Sequence, residues 1–235
     1  MIFLRSLLFA ILFYVWSTVL AVLIVPLLLG PRIWIIRSWG FWTAGIIVLL
    51  RVCCGIRVEV RGKQYMPKGR ALVAAKHLCM FDVFAQFAWL GNSCFVMKKE
   101  LTWIPFFGWY ALKARMIVID RAGHSAALKK MVRDATDRLR DDRQLLIFPE
   151  GTRGVPGVAG DYKPGIAALY RELELPVHLV ATNSGVHWPA HGFLRKPGTI
   201  VLEYLEPIPP GLKRAEFMRR LEDQIETASN ALLAL

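Results

Sequence analysis

His77 and Asp82 fall in the run AAKHLCMFDVF, residues 74–84, and their types and spacing suit proton transfer. A short apolar run, Ala71–Ala75, reads as a strand that delivers Lys76 and His77. The residues up to Phe81 read as a tight turn, and Asp82 falls near the start of a helical segment, Phe81–Leu90. A chain folding back between strand end and helix start brings the imidazole and the carboxylate together. A carboxylate bonded to one ring nitrogen fixes the tautomer and raises the basicity of the other. The pair is then a general base held in place. Without chemistry, the same residues are a polar strand end and a helix cap.

Three further stretches place functional groups where strands end. MKKELTWIPFFGWY, residues 97–110, sends Lys98 and Lys99 out of a strand into an aromatic segment broken by Pro105 and Gly108. Most of its aromatics read as core or bilayer-interface residues. In IFPEGTR, residues 147–153, an apolar strand ends in Pro149 and Glu150, followed by Gly151, the hydroxyl of Thr152 and the guanidinium of Arg153. Glycine lets the backbone approach a ligand closely, and arginine offers the bidentate fork that suits phosphate oxygens. LPVHLVATNSG, residues 175–185, reads by itself only as a buried strand opened by Pro176.

The elements that must position these groups follow from periodicity. From Ile56 onward, short strands alternate with amphipathic helices, the pattern of an α/β sheet domain. The strands are expected at Ile56–Val60, Ala71–Ala75, Cys94–Met97, Met116–Ile119, Gln144–Phe148, Pro176–Thr182 and Thr199–Tyr204. A helix over Ser125–Arg140 lines up Leu128, Met131, Val132, Ala135 and Leu139, and a terminal helix lines up Phe217, Leu221, Ile225 and Leu232. Those stripes are core packing. Gly151–Lys163 is the most loop-like stretch and directly follows a strand.

The N-terminal quarter differs in kind. Ser6–Pro31 is uncharged between Arg5 and Arg32, long enough to cross a bilayer, and carries no small-residue cleavage site. Pro26 is placed to bend it. A second apolar stretch, Ser38–Leu50, ends at Arg51 with Val52–Ile56 as an extension. The two segments fit either a transmembrane hairpin or a helical pair lying in one leaflet with snorkelling arginines. The expected division is a membrane-associated part, 1–55, and an α/β part, 56–235. A hydrophobic content of 55% also points to bilayer contact.

The net charge of +12 raises the question of nucleic acid. Its distribution answers it. The first 63 residues hold seven Lys/Arg against one acid, and the other 172 hold 23 against 17, so half the surplus flanks the most apolar segments. Cations in that position serve anionic headgroups, and no nucleic acid partner is expected. Cys53, Cys54, Cys79 and Cys94 form no disulfide-like framework, which suits a reduced, cytoplasmic setting. His187 and His191 are separated by Pro189 and accompany no H-E-x-x-H pattern, so no metal site is expected.

Taken together, these blocks resemble the glycerolipid acyltransferase family typified by 1-acyl-sn-glycerol-3-phosphate (lysophosphatidic acid) acyltransferase. His77…Asp82 is similar to the family's H-x4-D. Lys98-Lys99-Glu100-Leu101 with Pro105 and Gly108 resembles its K-x-E-L…P…G block. Ile119-Asp120-Arg121 resembles the I-D-R that usually follows, FPEGTR its signature loop, and Leu175–Val180 its Pro-containing fourth block. The resemblance runs from about Val58 to Tyr204, and four blocks in order are specific. Two positions depart from it. Lys76 stands where the family often has Asn, which bears on acceptor preference or local pKa. Cys79 stands where Ser is common and raises the question of a thiol nucleophile.

The resemblance implies an α/β fold with a mixed, largely parallel central sheet flanked by helices. It implies that His77, oriented by Asp82, takes the proton of a lyso-lipid hydroxyl, which attacks the thioester of acyl-CoA or acyl-acyl-carrier-protein. Arg153, with Gly151 and Thr152, is the expected clamp for the acceptor's phosphate. Lys98 and Arg121 are alternatives for that charge, and Glu150 is expected to orient Arg153 or the acceptor. No metal or redox cofactor is implied. The acceptor is expected to be lysophosphatidic acid and the product phosphatidic acid, at the cytoplasmic face of the inner membrane. Another lyso-lipid acceptor (lyso-ornithine lipid among them), a thioesterase, and a non-catalytic lipid-binding scaffold are the alternatives.

Overall fold

The computed structural model describes residues 1–120 and 123–234. Two apolar helices come first, α1 (Ile2–Leu23) and α2 (Arg32–Leu49), joined by a 3₁₀ turn, Val25–Leu29. Pro26 stands at the start of that turn, so it ends a helix rather than bending one. The second apolar segment is longer than its uncharged run. It begins at Arg32, includes the exposed Arg37, and continues through a π-helical turn, Leu50–Cys54. Both helices are long and apolar enough to cross a membrane.

Seven strands follow: β1 (Ile56–Arg61), β2 (Ala71–Ala75), β3 (Ser93–Lys98), β4 (Ile117–Ile119), β5 (Gln144–Ile147), β6 (Val177–Thr182) and β7 (Gly198–Ile208). The helices between and after them are α3 (Phe81–Trp89), α4 (Phe107–Lys113), α5 (His124–Leu139), α6 (Gly165–Leu173), α7 (Ser184–His187) and α8 (Arg214–Ala231). The sheet order is β1-β7-β6-β2-β5-β3-β4. All neighbours run parallel except β6 and β7. The fold is therefore an α/β sheet, as its strand–helix alternation implied, and a mixed, largely parallel one, as the resemblance implied.

β2 lies at the centre, and its register explains its composition. Leu72–Ala75 pair with β6 on one side and Ala71–Ala74 with β5 on the other, and all five residues are buried. A parallel strand covered on both faces needs an unbroken apolar run, and ALVAA supplies one. Where the run ends, the backbone N–H of Lys76 makes a last bond to Val180 O at 2.9 Å, and the chain leaves the sheet. His77 therefore emerges at the carboxyl ends of the parallel strands, the rim where open α/β sheets place their ligands.

The apolar core runs without interruption from the first two helices into the sheet. Phe9, Ile35, Ile46 and Leu50 belong to the same buried cluster as Leu72, Leu145 and Leu179. α2 packs on α3, with Trp42 against Phe84 at 4.9 Å and Thr43 Oγ1 donating to Phe84 O at 3.0 Å. The helix that carries Asp82 is thus seated on an apolar N-terminal helix.

Candidate active site

Asp82 sits in the first turn of α3 and is 1% exposed. Its Oδ2 accepts the backbone N–H groups of Leu78 and Cys79 at 2.6 and 2.7 Å, closing the tight turn between β2 and α3. The same oxygen lies 3.4 Å from Nδ1 of His77. An imidazole facing a carboxylate through Nδ1 presents Nε2 as its free, proton-accepting nitrogen. The His77 ring stacks on Phe148 at 4.3 Å between centroids, which sets the ring plane. Its side chain keeps 14% exposure, so the group is open to a substrate while Asp82 is not.

The loop after β5 supplies the next groups. Gly151 has φ +65°, a left-handed conformation that disfavours residues with a Cβ, and its N–H returns to Phe148 O at 2.9 Å. That turn projects Thr152 and Arg153, both exposed. Gly154 N–H then donates to His77 O at 2.8 Å, which fastens this loop to the histidine one residue beyond Arg153. Arg153 Nη1 donates to Ala190 O at 3.2 Å, and among the described residues no carboxylate pairs with it. An arginine without a carboxylate partner is able to meet an anion.

Glu150 is placed differently from the sequence expectation. It is 2% exposed and turned away from Arg153: Oε1 accepts from Lys76 Nζ at 2.7 Å, and Oε2 accepts the His77 backbone N–H at 3.0 Å. Lys76 is buried with it. It is 2% exposed, and its ammonium also donates to Glu226 Oε1 at 2.6 Å. It thus points into the interior instead of offering its charge at the rim. Glu226 and Tyr162 were not singled out from the sequence. One signal was there: a lysine continuing an all-buried strand requires carboxylates that local spacing does not reveal.

Lys98 ends β3 on the same rim, exposed, but β5 stands between β3 and β2, which puts it about 10 Å sideways. Lys99 beside it bonds Asp120 at 3.2 Å. Arg121 lies outside the described residues. Cys79 is buried, with its Sγ 3.8 Å from Asp82 Oδ1. Burial, with the Asp82 carboxylate beside it, pushes the thiol well above its ordinary pKa, so it is a protonated, covered group and a poor nucleophile. Among the described residues no His/Cys/Asp/Glu group is arranged to hold a metal.

A partly exposed imidazole backed by a buried carboxylate, on a rim shared with a guanidinium that has no carboxylate partner among the described residues, can take a proton from the hydroxyl of an anionic substrate. Comparison with known proteins gives that chemistry a class. The acyltransferase family model matches residues 57–183. A 1-acyl-sn-glycerol-3-phosphate acyltransferase of Pseudomonas aeruginosa is 35% identical over 189 residues, 80% of this chain and 72% of that one. The enzyme of the same name from Limnanthes alba is 31% identical over 180 residues, 75% of this chain and 62% of that one. The crystal structure of the 1-acyl-sn-glycerophosphate (LPA) acyltransferase from Thermotoga maritima superposes with a TM-score of 0.82, at 23% identity, over 100% of this chain and 99% of the other, and so shares the fold. The chain belongs to the acyltransferase family of enzymes.

Proposed function

We propose that this enzyme moves a fatty acyl group from an acyl thioester, acyl-CoA or acyl-acyl-carrier-protein, to the sn-2 hydroxyl of 1-acyl-sn-glycerol 3-phosphate, giving phosphatidic acid. The observation that carries the reading is the His77–Asp82 pair, 3.4 Å apart, at the rim to which Gly154 fastens the Arg153 loop. Nε2 of His77 takes the hydroxyl proton as the oxygen attacks the thioester carbonyl. The carbon–sulfur bond then breaks, and the imidazolium returns the proton to the departing thiolate. Asp82 keeps Nδ1 as the donor side and offsets the imidazolium charge. Arg153 grips the acceptor's phosphate with its fork, and Gly151 and Thr152 shape the loop around it. The resident chemistry requires no metal or redox cofactor in this scheme.

The test offers each thioester with a panel of lyso-lipids to the purified enzyme and identifies products by mass. Transfer to lysophosphatidic acid above the other acceptors is expected; preference for an acceptor without phosphate would overturn the assignment. In the same assay, Arg153→Ala is expected to raise the KM for lysophosphatidic acid about tenfold or more, the scale of a lost charge-assisted contact. An unchanged acceptor KM would remove Arg153 from the clamp.

Residues 1–55 serve in this reading to seat the α/β part, 56–235, on the cytoplasmic face of the inner membrane. Four unbridged cysteines and the cations around α1 and α2 agree with that side. α1 presents an exposed apolar face through Leu4, Leu8, Ile11, Val15, Val19 and Val22. Its other face is fastened along its length: Phe3 meets Phe193 at 5.4 Å, Phe9 meets Trp188 at 5.4 Å, and Tyr110 OH donates to Ala21 O. From Phe3 to Ala21 is about 27 Å, nearly the thickness of a hydrocarbon core. A helix tied to the water-facing domain at both ends favours insertion in one leaflet over a crossing. Leu29→Cys in the turn between the helices, 93% exposed, should therefore stay unlabelled by a maleimide sealed inside vesicles. Labelling from the lumen would indicate a crossing.

A further inference from the structure

Beneath the rim lies a buried ionic cluster for which the transfer scheme has no use. Lys76 Nζ bonds Glu150 Oε1 at 2.7 Å and Glu226 Oε1 at 2.6 Å, with Val158 O at 3.5 Å. Tyr162 OH donates to Glu226 Oε1 at 3.0 Å. Burial, with Glu226 and Glu150 nearby, pushes that phenol above its ordinary pKa, so it remains a donor. The side chains of Lys76, Glu150 and Glu226 are 2%, 1% and 11% exposed. Gly160 lies flush on the cluster, where an added Cβ would come 2.5 Å from Glu150 Oε1.

A buried ion cluster contributes little net stability compared with apolar side chains of the same volume, because desolvation offsets the attraction. Orientation is what such a cluster supplies here. Each oxygen of Glu150 has one partner: Oε1 takes the ammonium and Oε2 takes the His77 N–H. With Asp82 holding the amides of Leu78 and Cys79, three successive backbone N–H groups at the root of the imidazole end on two carboxylates. Asp82 is fixed by its own helix. Glu150 opens the loop after β5, and its side chain is held by Lys76, itself gripped by Glu226 from α8.

We propose that Lys76 and Glu226 are positioning residues for the acyl transfer: α8, through Glu226 and Lys76, sets Glu150, and Glu150 sets the backbone from which His77 reaches the substrate. This rests on the reading of His77 as the general base. It assigns a role in turnover to two residues that touch no substrate, and to a helix whose apolar stripe accounts only for packing.

The test compares full-length wild type, Lys76→Met, Glu226→Gln and the double variant, with His77→Ala as reference. kcat, acceptor KM and Tm are measured on each. Lys76→Met leaves two carboxylates facing each other without their cation, so Glu150 swings off the His77 amide. Its kcat is expected to fall about 10–100-fold, the effect of a misplaced reacting group, with acceptor KM within about twofold. Glu226→Gln, which keeps the shape, is expected to lower kcat about 3–10-fold, as a partial misplacement. The double variant is expected to lose less than the product of the two, because both act through one contact.

A fall in Tm with wild-type kcat per folded enzyme would reduce the cluster to a structural role and overturn the proposal. A raised acceptor KM at unchanged kcat would overturn it too, by moving Lys76 to the acceptor. If Lys76→Met does not fold, Glu226→Gln alone decides by the same criterion. Turnover retained in His77→Ala would remove the general-base reading and this proposal with it. An inactive His77→Ala beside a fully active Lys76→Met would remove the proposal alone.

Discussion

His77→Ala is expected to lower kcat by about 10²–10⁴-fold, the range of a positioned general base, while the protein stays folded. The two halves of that expectation come from different atoms. The reacting part is the ring, whose Nδ1 is 3.4 Å from Asp82 and whose face lies on Phe148. The architectural part is the backbone, whose N–H goes to Glu150 and whose carbonyl receives Gly154. Alanine removes the first and keeps the second. Acceptor KM should therefore change little, and thermal unfolding should shift by no more than a few degrees. Turnover within about tenfold of wild type would mean that another group takes the proton.

Asp82→Asn should lower kcat by about 10³–10⁴-fold, as losing the carboxylate that offsets the imidazolium behind a catalytic histidine does. Asparagine can turn its amide oxygen to the place of Oδ2 and still accept from Leu78, Cys79 and His77, which all meet that one oxygen, so what it removes is the negative charge. Asp82→Ala separates the two roles. It leaves two buried backbone donors unsatisfied, at about 1–3 kcal/mol each, so it should destabilise the fold measurably as well as silence the reaction. Stopped transfer with little change in Tm for Asn, and a lower Tm for Ala, would confirm that one carboxylate does both jobs. An Asp82→Asn enzyme with near-normal kcat would restrict Asp82 to closing the turn.

Much of this rim was legible because its signals are local. ALVAA announces a strand buried on both faces, and H-x4-D spans one turn, so periodicity alone put His77 and Asp82 at a strand end and a helix start. What escaped was set by distance along the chain. Lys76 meets Glu150 and Glu226, 74 and 150 residues away, and no window of sequence contains that contact. A lysine before the histidine therefore read only as bearing on acceptor preference or local pKa, and Glu150 as orienting Arg153 or the acceptor. The length of α2 was misjudged for another reason. Counting uncharged residues stopped at Arg37, but an arginine on an exposed face does not end a helix.

The span from Lys76 to Glu226 also bears on the order of events during synthesis. The first helices leave the ribosome early, with the exposed apolar face of α1, whereas Glu226 follows Lys76 by 150 residues. Because distant contacts form late, the apolar N-terminal helices would be made well before the Lys76–Glu226 contact closes. A chain stalled or cut ahead of α8 would then carry its apolar helices and central strands yet lack the carboxylate that grips Lys76 from afar.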